Sequence, residues 1–445
     1  MATWQCPQDW WEWTEWLSAG LHGQCRWRLP VLLLGMLFAK GRRTAASWLR
    51  AAGITVGFSD YYYFISSVGR KAKPVATRLW VLLLRQVSSG PRVLLALDDT
   101  PTKRYGPKVQ GAGIHHNPAP GPADAKFLFG HIWVTLAWVV RHPLWGTIGL
   151  PLVAMLYIRQ KDVARLPKRL GWEFQTKLQQ GVQLVAWAFQ IVLAAGKRLW
   201  VVADGAYAKR PFLKPLRAWG VAVVSRLRKD AALRDLPPKL KKGQPRPRGR
   251  PRIYGKKRLS LAKRAAARRG WHTIECVQYR KAVTKKVKTF LATYRPACGR
   301  IRVVIVQEPH GCEFFFCTDP EASVQEILET FADRAAIEQD FHDLKEVWGA
   351  GQQQLRDLWA NIGAYHLNLW MHTLVELWAW NKSQAKICDR SDSPWDDADR
   401  RPSHADRRKA LQRTILQLQF SAITRCRRAT RKIAAFAWQL VQLAV

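Results

Sequence analysis

Two short apolar runs, each closed by a carboxylate, limit what this 445-residue chain can fold into. The first reads R-V-L-L-A-L-D-D over residues 92–99, and the second reads R-L-W-V-V-A-D-G over residues 198–205. Thr100-Pro101 stops the first run and Gly205 turns the second. A continuous apolar run of this length, bounded in this way, predicts a strand buried on both faces. Such strands lie inside a sheet covered by helices. An aspartate at the end of a buried strand is costly unless it is paired or bound to a metal. Asp98, Asp99 and Asp204 therefore mark a site, or else one of them caps the turn that follows.

The neighbouring segments fill in a sheet. Residues 127–140 and 144–158 are apolar runs split by R-H-P, as in a hairpin, and with residues 92–99 they make a three-stranded meander. Residues 172–195 have helical periodicity, 209–219 read as a helix, and 221–224 as a strand. Three strands, helix, strand with Asp, helix, strand is the order of an RNase H-like fold. The expected fold class is α/β: an RNase H-like mixed sheet flanked by helices. A β-rich insertion, an N-terminal helical domain and a C-terminal helical tail are added to it. Residues 103–126 are Gly/Pro-rich and basic, so a loop is expected there, with His115 and His116 on the surface. Residues 1–88 read as short helices. Thr44 caps one that ends at Gly53, and Ser59 caps the next. They form either a helix-turn-helix presenting Arg42, Arg43 and Arg50 or a plain helical bundle. The tryptophans clustered over residues 4–16 follow a helical face and suit packing.

The formal net charge is +40. Such a balance implies a polyanionic partner. The N-terminus has no basic segment before an apolar run, so no signal peptide is read there. The apolar runs are too short, too polar or too interrupted to span a bilayer. The eight cysteines form no C-x-x-C pair, which excludes zinc spacing and suits reduced thiols in a cytoplasmic protein. Residues 226–288 hold 23 Lys and Arg against Asp230, Asp235 and Glu275. Within them, P-R-P-R-G-R-P-R cannot pack and is expected to be mobile. Arg248, Arg250 and Arg252 lie in or beside an R-G-R-P core of the AT-hook kind, which enters a narrow A·T-rich minor groove. The alternative is nonspecific phosphate binding. Residues 271–294 and 301–318 alternate like strands and give the insertion its β character.

Residues 331–345 read F-A-D-R-A-A-I-E-Q-D-F-H-D-L-K and are expected as one helix starting near Pro320. Glu338 follows Arg334 by four positions, so both lie on one face. Lys345 lies two turns beyond. A carboxylate flanked by two cations suits a metal ion beside a phosphate backbone, and a solvated helix with ordinary ion pairs is the plainer alternative. The spacing aromatic, Arg, Glu, Lys resembles the Tyr-Arg-Glu-Lys signature of bacterial insertion-sequence DDE transposases, with Phe331 in place of the tyrosine. L-A-L-D-D-T and V-V-A-D-G-A-Y resemble that family's first and second aspartate motifs. The resemblance covers roughly residues 90–356. It implies Asp99, Asp204 and Glu338 as catalytic residues and ligands of two Mg²⁺ ions, for which Mn²⁺ can substitute. Arg334, Lys345 and Phe331 would contact DNA, together with Arg248, Arg250 and Arg252.

The implied activity is metal-dependent cleavage at transposon ends and strand transfer into target DNA. The implied partners are double-stranded DNA, as terminal inverted repeats and target, and a second copy of the chain in a homodimer. No membrane is involved, and the expected place is the bacterial cytoplasm at the nucleoid. A transposase-derived DNA-binding protein without catalysis and an RNase H-like nuclease without joining are the rival readings. The first-aspartate motif points to Asp99, but strand alternation sends neighbouring side chains to opposite faces, so Asp98 remains the other candidate. The expected segments are residues 1–88 (helical, DNA-binding), 89–225 (catalytic core), 226–318 (basic arm and insertion), 319–380 (core helices) and 381–445. The last is a polar linker to residue 405, then a basic tail that packs on the core, binds DNA or pairs subunits.

Deleting residues 240–258 should weaken DNA binding and flatten its salt dependence, because each cation–phosphate pair contributes nearly one unit of log–log slope. Titrations at several salt concentrations measure this, and an unchanged slope would show that the arm does not touch DNA.

Overall fold

The computed structural model describes residues 4–87, 90–117, 125–238, 249, 251–389, 395–397, 399–424 and 433. Arg248 and Arg250 lie outside the described residues, so the AT-hook reading has no structural counterpart here; Arg252 is described and exposed. The chain opens with α1 (Gln8–Ser18), α2 (Arg28–Phe38), α3 (Ala45–Ala51), α4 (Phe58–Arg70) and α5 (Ala72–Gln86). Thr44 caps α3 by accepting from the Ser47 amide, and the helix is followed by Gly53 with φ +76°. The N-cap of α4 is Gly57, with φ +71°, and Ser59 falls inside the first turn. A left-handed entry residue is easiest for glycine, which is why the cap moved two residues upstream.

One twelve-stranded mixed sheet runs through the described residues. Its strands are β1 (Arg92–Lys103), β2 (Gly113–His116), β3 (Phe127–His142), β4 (Gly146–Tyr157), β5 (Arg198–Ala203), β6 (Ala222–Arg226), β7 (Leu233–Arg234), β8 (Arg258–Leu259), β9 (His272–Gln278), β10 (Lys281–Tyr294), β11 (Gly299–Glu308) and β12 (Gly311–Cys317). β1 pairs antiparallel with β3 and parallel with β5, and β5 pairs parallel with β6. This is the mixed core that the apolar runs predicted, and Val93 to Leu97 are buried as a two-face-covered strand requires. The insertion is not a separate sheet: β12 pairs antiparallel with β6 and carries β11 and β10 onto the same sheet. The region read as a loop after Lys103 contains β2, which pairs with β3. His116 is exposed, but His115 is only 9 % exposed, because alternation along β2 turns it inward.

Helices cover the sheet: α6 (Gln160–Val163), α7 (Lys177–Ala194), α8 (Arg210–Ala218), α9 (Leu261–Ala266), α10 (Val324–Asp333), α11 (Ala335–Glu346), α12 (Leu358–Ala379), α13 (Gln384–Ile387) and α14 (His404–Thr424). α7 starts at Lys177, behind a Thr176–Gln179 capping box, and so later than its periodicity suggested. α12 is buried along nearly its whole length. It crosses α4 where Gly69 meets Gly363, and a Cβ on either would collide with a backbone carbonyl, of Trp359 or Ile65 respectively. The N-terminal helices thus dock on α12 by backbone contact. Trp10, Trp48, Trp80, Trp133, Trp138, Trp145, Trp348 and Trp370 are fully buried, so these tryptophans serve packing. The described part of the C-terminal tail packs on the core. Arg408 of α14 donates to the carbonyls of Leu37 and Ala39, both at 2.9 Å. Among the described residues no helix is long and apolar enough to cross a membrane.

Gly363→Ala should cost about 1–3 kcal/mol by overpacking the α4–α12 crossing. Urea unfolding monitored by tryptophan fluorescence would measure it; a wild-type midpoint would mean that the helices do not approach this closely.

Candidate active site

Parallel pairing of β1 with β5 sets the site. Leu97 lies opposite Ala203, so the next residues, Asp98 and Asp204, emerge side by side where β5 ends, while β1 runs on beside β3 to Lys103, past the stop expected at Thr100-Pro101. Asp204 then caps a short turn, accepting from the Ala206 amide at 3.4 Å. The third carboxylate comes from the far end of the chain. The single helix expected over residues 331–345 is two, α10 and α11, joined at Arg334. There the hydrogen bonds tighten to i→i+3, from Arg334 N to Phe331 O and from Ile337 N to Arg334 O. α10 starts at Val324, later than expected, because Ser323 and Glu326 form a capping box.

Arg334 spans two of the acids. Its Nη1 donates to Asp98 Oδ2 at 2.7 Å and its Nη2 to Glu338 Oε1 at 2.6 Å. Glu338 is more than half exposed, whereas Arg334 and Asp98 are largely buried. Burial pushes the Asp98 carboxyl up to about 6; Arg334 and the Asp99 amide oppose this, while the Asp99 and Asp204 charges add to it. A carboxyl in that state calls for a cation.

Asp99, expected as the first ligand, faces the other way. Its Oδ2 accepts from Lys177 Nζ at 2.6 Å and its Oδ1 from the Tyr207 hydroxyl at 3.3 Å. The alternation rule therefore holds through Asp98 and Asp99, and the carboxylate beside Arg334 and Asp204 is that of Asp98. Burial and the neighbouring acids hold the Tyr207 hydroxyl well above its usual range, so it remains a donor. Lys177 and Tyr207 were missed as site residues. Tyr207 stands in the A-D-G-A-Y motif and Lys177 at a helix start, but neither position reveals a partner across the sheet.

Phe331 is half-buried against Phe315, with Arg334 and Arg226 over its ring at 5.5 and 5.8 Å. Lys345 is partly buried, which lowers its pKa; Glu346 offsets this and nearby Lys103 adds to it. Arg252 is not among the residues in contact with the carboxylates. Trp271, the one tryptophan of the insertion, donates to the Ala267 carbonyl and lies under Lys288.

A mixed, helix-covered sheet presenting neighbouring carboxylates from adjacent parallel strands is the architecture of an RNase H-like nuclease of the DDE kind. A family model described as DDE superfamily endonuclease matches residues 17–287, and the chain belongs to that family. It is thus an enzyme of nuclease or transposase type acting on DNA, in a family that typically uses divalent metals. The matched span includes Asp98, Asp99 and Asp204 and stops before Arg334 and Glu338. No curated protein matches the chain.

The Asp98 pKa fixes a sign. Its folded value lies above the unfolded one, so its contribution to stability is full below about pH 4 and is lost as pH rises through 6. Asp98→Asn should therefore raise the melting temperature more at pH 8 than at pH 4, with a difference of at most about 3 kcal/mol. Equal effects at both pH values would contradict the raised pKa.

Proposed function

We propose that this chain is a DNA transposase in which Asp98, Asp204 and Glu338 hold a pair of Mg²⁺ ions, with Mn²⁺ able to substitute. The observation that carries the reading is the Arg334 guanidinium between Asp98 and Glu338: a positive charge already sits where two carboxylates meet, and Asp204 lies near the first of them. Hard carboxylate oxygens from three elements fit a hard divalent cation. When bound, the ions supply an activated water or 3′-OH and stabilise the leaving oxygen. The first ligand is assigned to Asp98 because Asp99 is neutralised by Lys177 on the opposite side of β1.

The protein's own groups do the rest. Arg334, released from its carboxylates when they take cations, turns to a phosphate oxygen, where its fork geometry suits bidentate contact. The Phe331 ring beneath it limits its directions. Lys345, with Lys103 close by, adds positive potential for the strand. Lys177 and Tyr207 hold Asp99 and through it the middle of β1. The basic segment with Arg248, Arg250 and Arg252 binds duplex DNA. Cleavage would occur at the terminal inverted repeats of an insertion sequence, with strand transfer into target DNA by a homodimer at the nucleoid.

DNA flanking the gene, incubated with the purified chain in Mg²⁺, should be cut at its ends and joined to a target plasmid. Cutting without joining would favour a plain nuclease, and binding without cutting a DNA-binding relative. Glu338→Gln and Asp98→Asn should lower cleavage by about 10³-fold or more while retaining binding, since an amide is a poor ligand for a hard cation. Asp99→Asn should keep measurable activity. A dead Asp99→Asn beside an active Asp98→Asn would move the ligand one residue on.

A further inference from the structure

A second buried cluster of acids and imidazoles lies on the other side of α11 from Glu338. α11 contributes Asp340 and Asp343, α12 contributes His372 and Glu376, and the start of α14 contributes His404 and Arg407. They line a cavity of about 510 Å³ whose rim carries Arg280 and Arg401. Asp340, His372, Glu376 and His404 are each less than 5 % exposed.

The partners inside the cluster are unequally shared. Glu376 Oε1 accepts from His404 Nδ1 at 2.5 Å and from Arg407 Nη1 at 2.8 Å. His404 Nε2 accepts from the Trp348 indole at 2.8 Å, so both of its nitrogens are engaged. Asp343 Oδ1 accepts from Gln339 at 3.1 Å. Asp340 Oδ2 and His372 Nδ1, by contrast, have no hydrogen-bond partner among the described residues. His372 Nε2 stands 3.8 Å from Asp340 Oδ1 and 3.9 Å from Asp343 Oδ2. Those separations are too long for hydrogen bonds. They suit atoms that share one ion, since ligands at about 2.0–2.2 Å from a cation stand roughly 3–4 Å apart.

The surroundings hold this geometry open. A Cβ at Gly149 of β4 would overlap the Asp340 carboxylate, so glycine makes room for it. His404 stacks on His372 with ring centroids 3.9 Å apart, which fixes the His372 ring. Asp343, His372 and His404 can offer ligand atoms within 4.8 Å of one another; Asp340 is outside that group and meets it through the same His372 Nε2, while both His404 nitrogens are already engaged. Burial pushes the orphan Asp340 carboxyl up to about 8, opposed by His372. Burial alone would also raise Asp343, but His372 and His404 more than offset it and hold it at about 2.

We propose that Asp340, Asp343 and His372 bind a divalent transition-metal ion of the Zn²⁺ or Mn²⁺ kind, distinct from the ions of the catalytic carboxylates. One imidazole with two carboxylates is a mixed donor set that favours such ions over Mg²⁺. His404 is a positioning residue that orients His372 by stacking. Because His404 and Arg407 belong to α14 and grip Glu376, the ion ties the C-terminal helix to the helix that carries Glu338. The site does not rest on the transposase reading, only on the geometry of this cluster.

The test uses the full chain carrying Asp204→Asn and Glu338→Gln, so that the catalytic carboxylates are crippled. The protein is stripped with EDTA, incubated with ZnCl₂ or, separately, MnCl₂, and desalted. Metal per chain and thermal unfolding are then read. One ion per chain should be retained, with a rise in melting temperature. His372→Gln and Asp340→Asn in the same background should weaken retention beyond the roughly 10–100-fold that loss of an outer partner costs. Both should also abolish the thermal rise. Asp340→Asn keeps the side-chain shape, so loss of the ion there with an unchanged circular dichroism spectrum separates ligation from misfolding. Undiminished retention in Asp340→Asn and His372→Gln, or no retention by the parent, would overturn the assignment.

Discussion

The Arg334 guanidinium lodged between Asp98 and Glu338 is the contact on which the arrangement of the carboxylate site depends. Parallel strand pairing forces Asp98 and Asp204 together, and burial makes the Asp98 charge costly. A cation must stand nearby, and Arg334 supplies one from a helix far along the chain. To do so the helix breaks at that residue. Asp333, just before the break, is held by Thr147 at 2.6 Å and by Arg141 at 3.0 Å. These contacts fix the joint from the side away from Asp98. Arg334 Nε is buried without a partner among the described residues, a local cost borne beside a functional group.

The sheet explains why a long insertion does not displace Glu338. β12 returns to pair with β6, and the Thr318 amide donates to the Val223 carbonyl while the Thr318 hydroxyl accepts from the Val223 amide. The chain therefore leaves the insertion next to the strand it departed from. α10 starts a few residues later at its Ser323 cap. The added strands grow outward from the sheet's edge, and the carboxylate site keeps its geometry.

α11 joins two polar sites through its two faces. Glu338 faces Asp98 of β1 through Arg334, while Asp340 and Asp343 face α12 and α14. α12 runs between the N-terminal helices and the sheet, buried on all sides, and brings His372 and Glu376 to the second cluster. The C-terminal helix is then held twice, by Arg407 on Glu376 and by Arg408 on carbonyls at the C-terminal end of α2. The described part of the C-terminal helix, the N-terminal helices and α11 thus share one packed frame.

Strand composition alone determined much of this protein. The apolar runs before Asp98 and Asp204, the hairpin of residues 127–158, the capped α3 and the Arg334–Glu338 face were all readable, because each depends on residues near in sequence. The family resemblance rested on those same motifs, and the match over residues 17–287 supports it at the level of the family. Tertiary structure decided what depends on partners distant in sequence. Which of two adjacent aspartates faces Arg334 was undetermined until Lys177 and Tyr207 were seen to occupy the other. The break at Arg334 had no glycine or proline to announce it, since long-range ion pairs impose it. His115 turned inward because β2 found an edge to pair with. The cluster around His372 draws on three helices spread over more than sixty residues of sequence, and no local spacing could have assembled it.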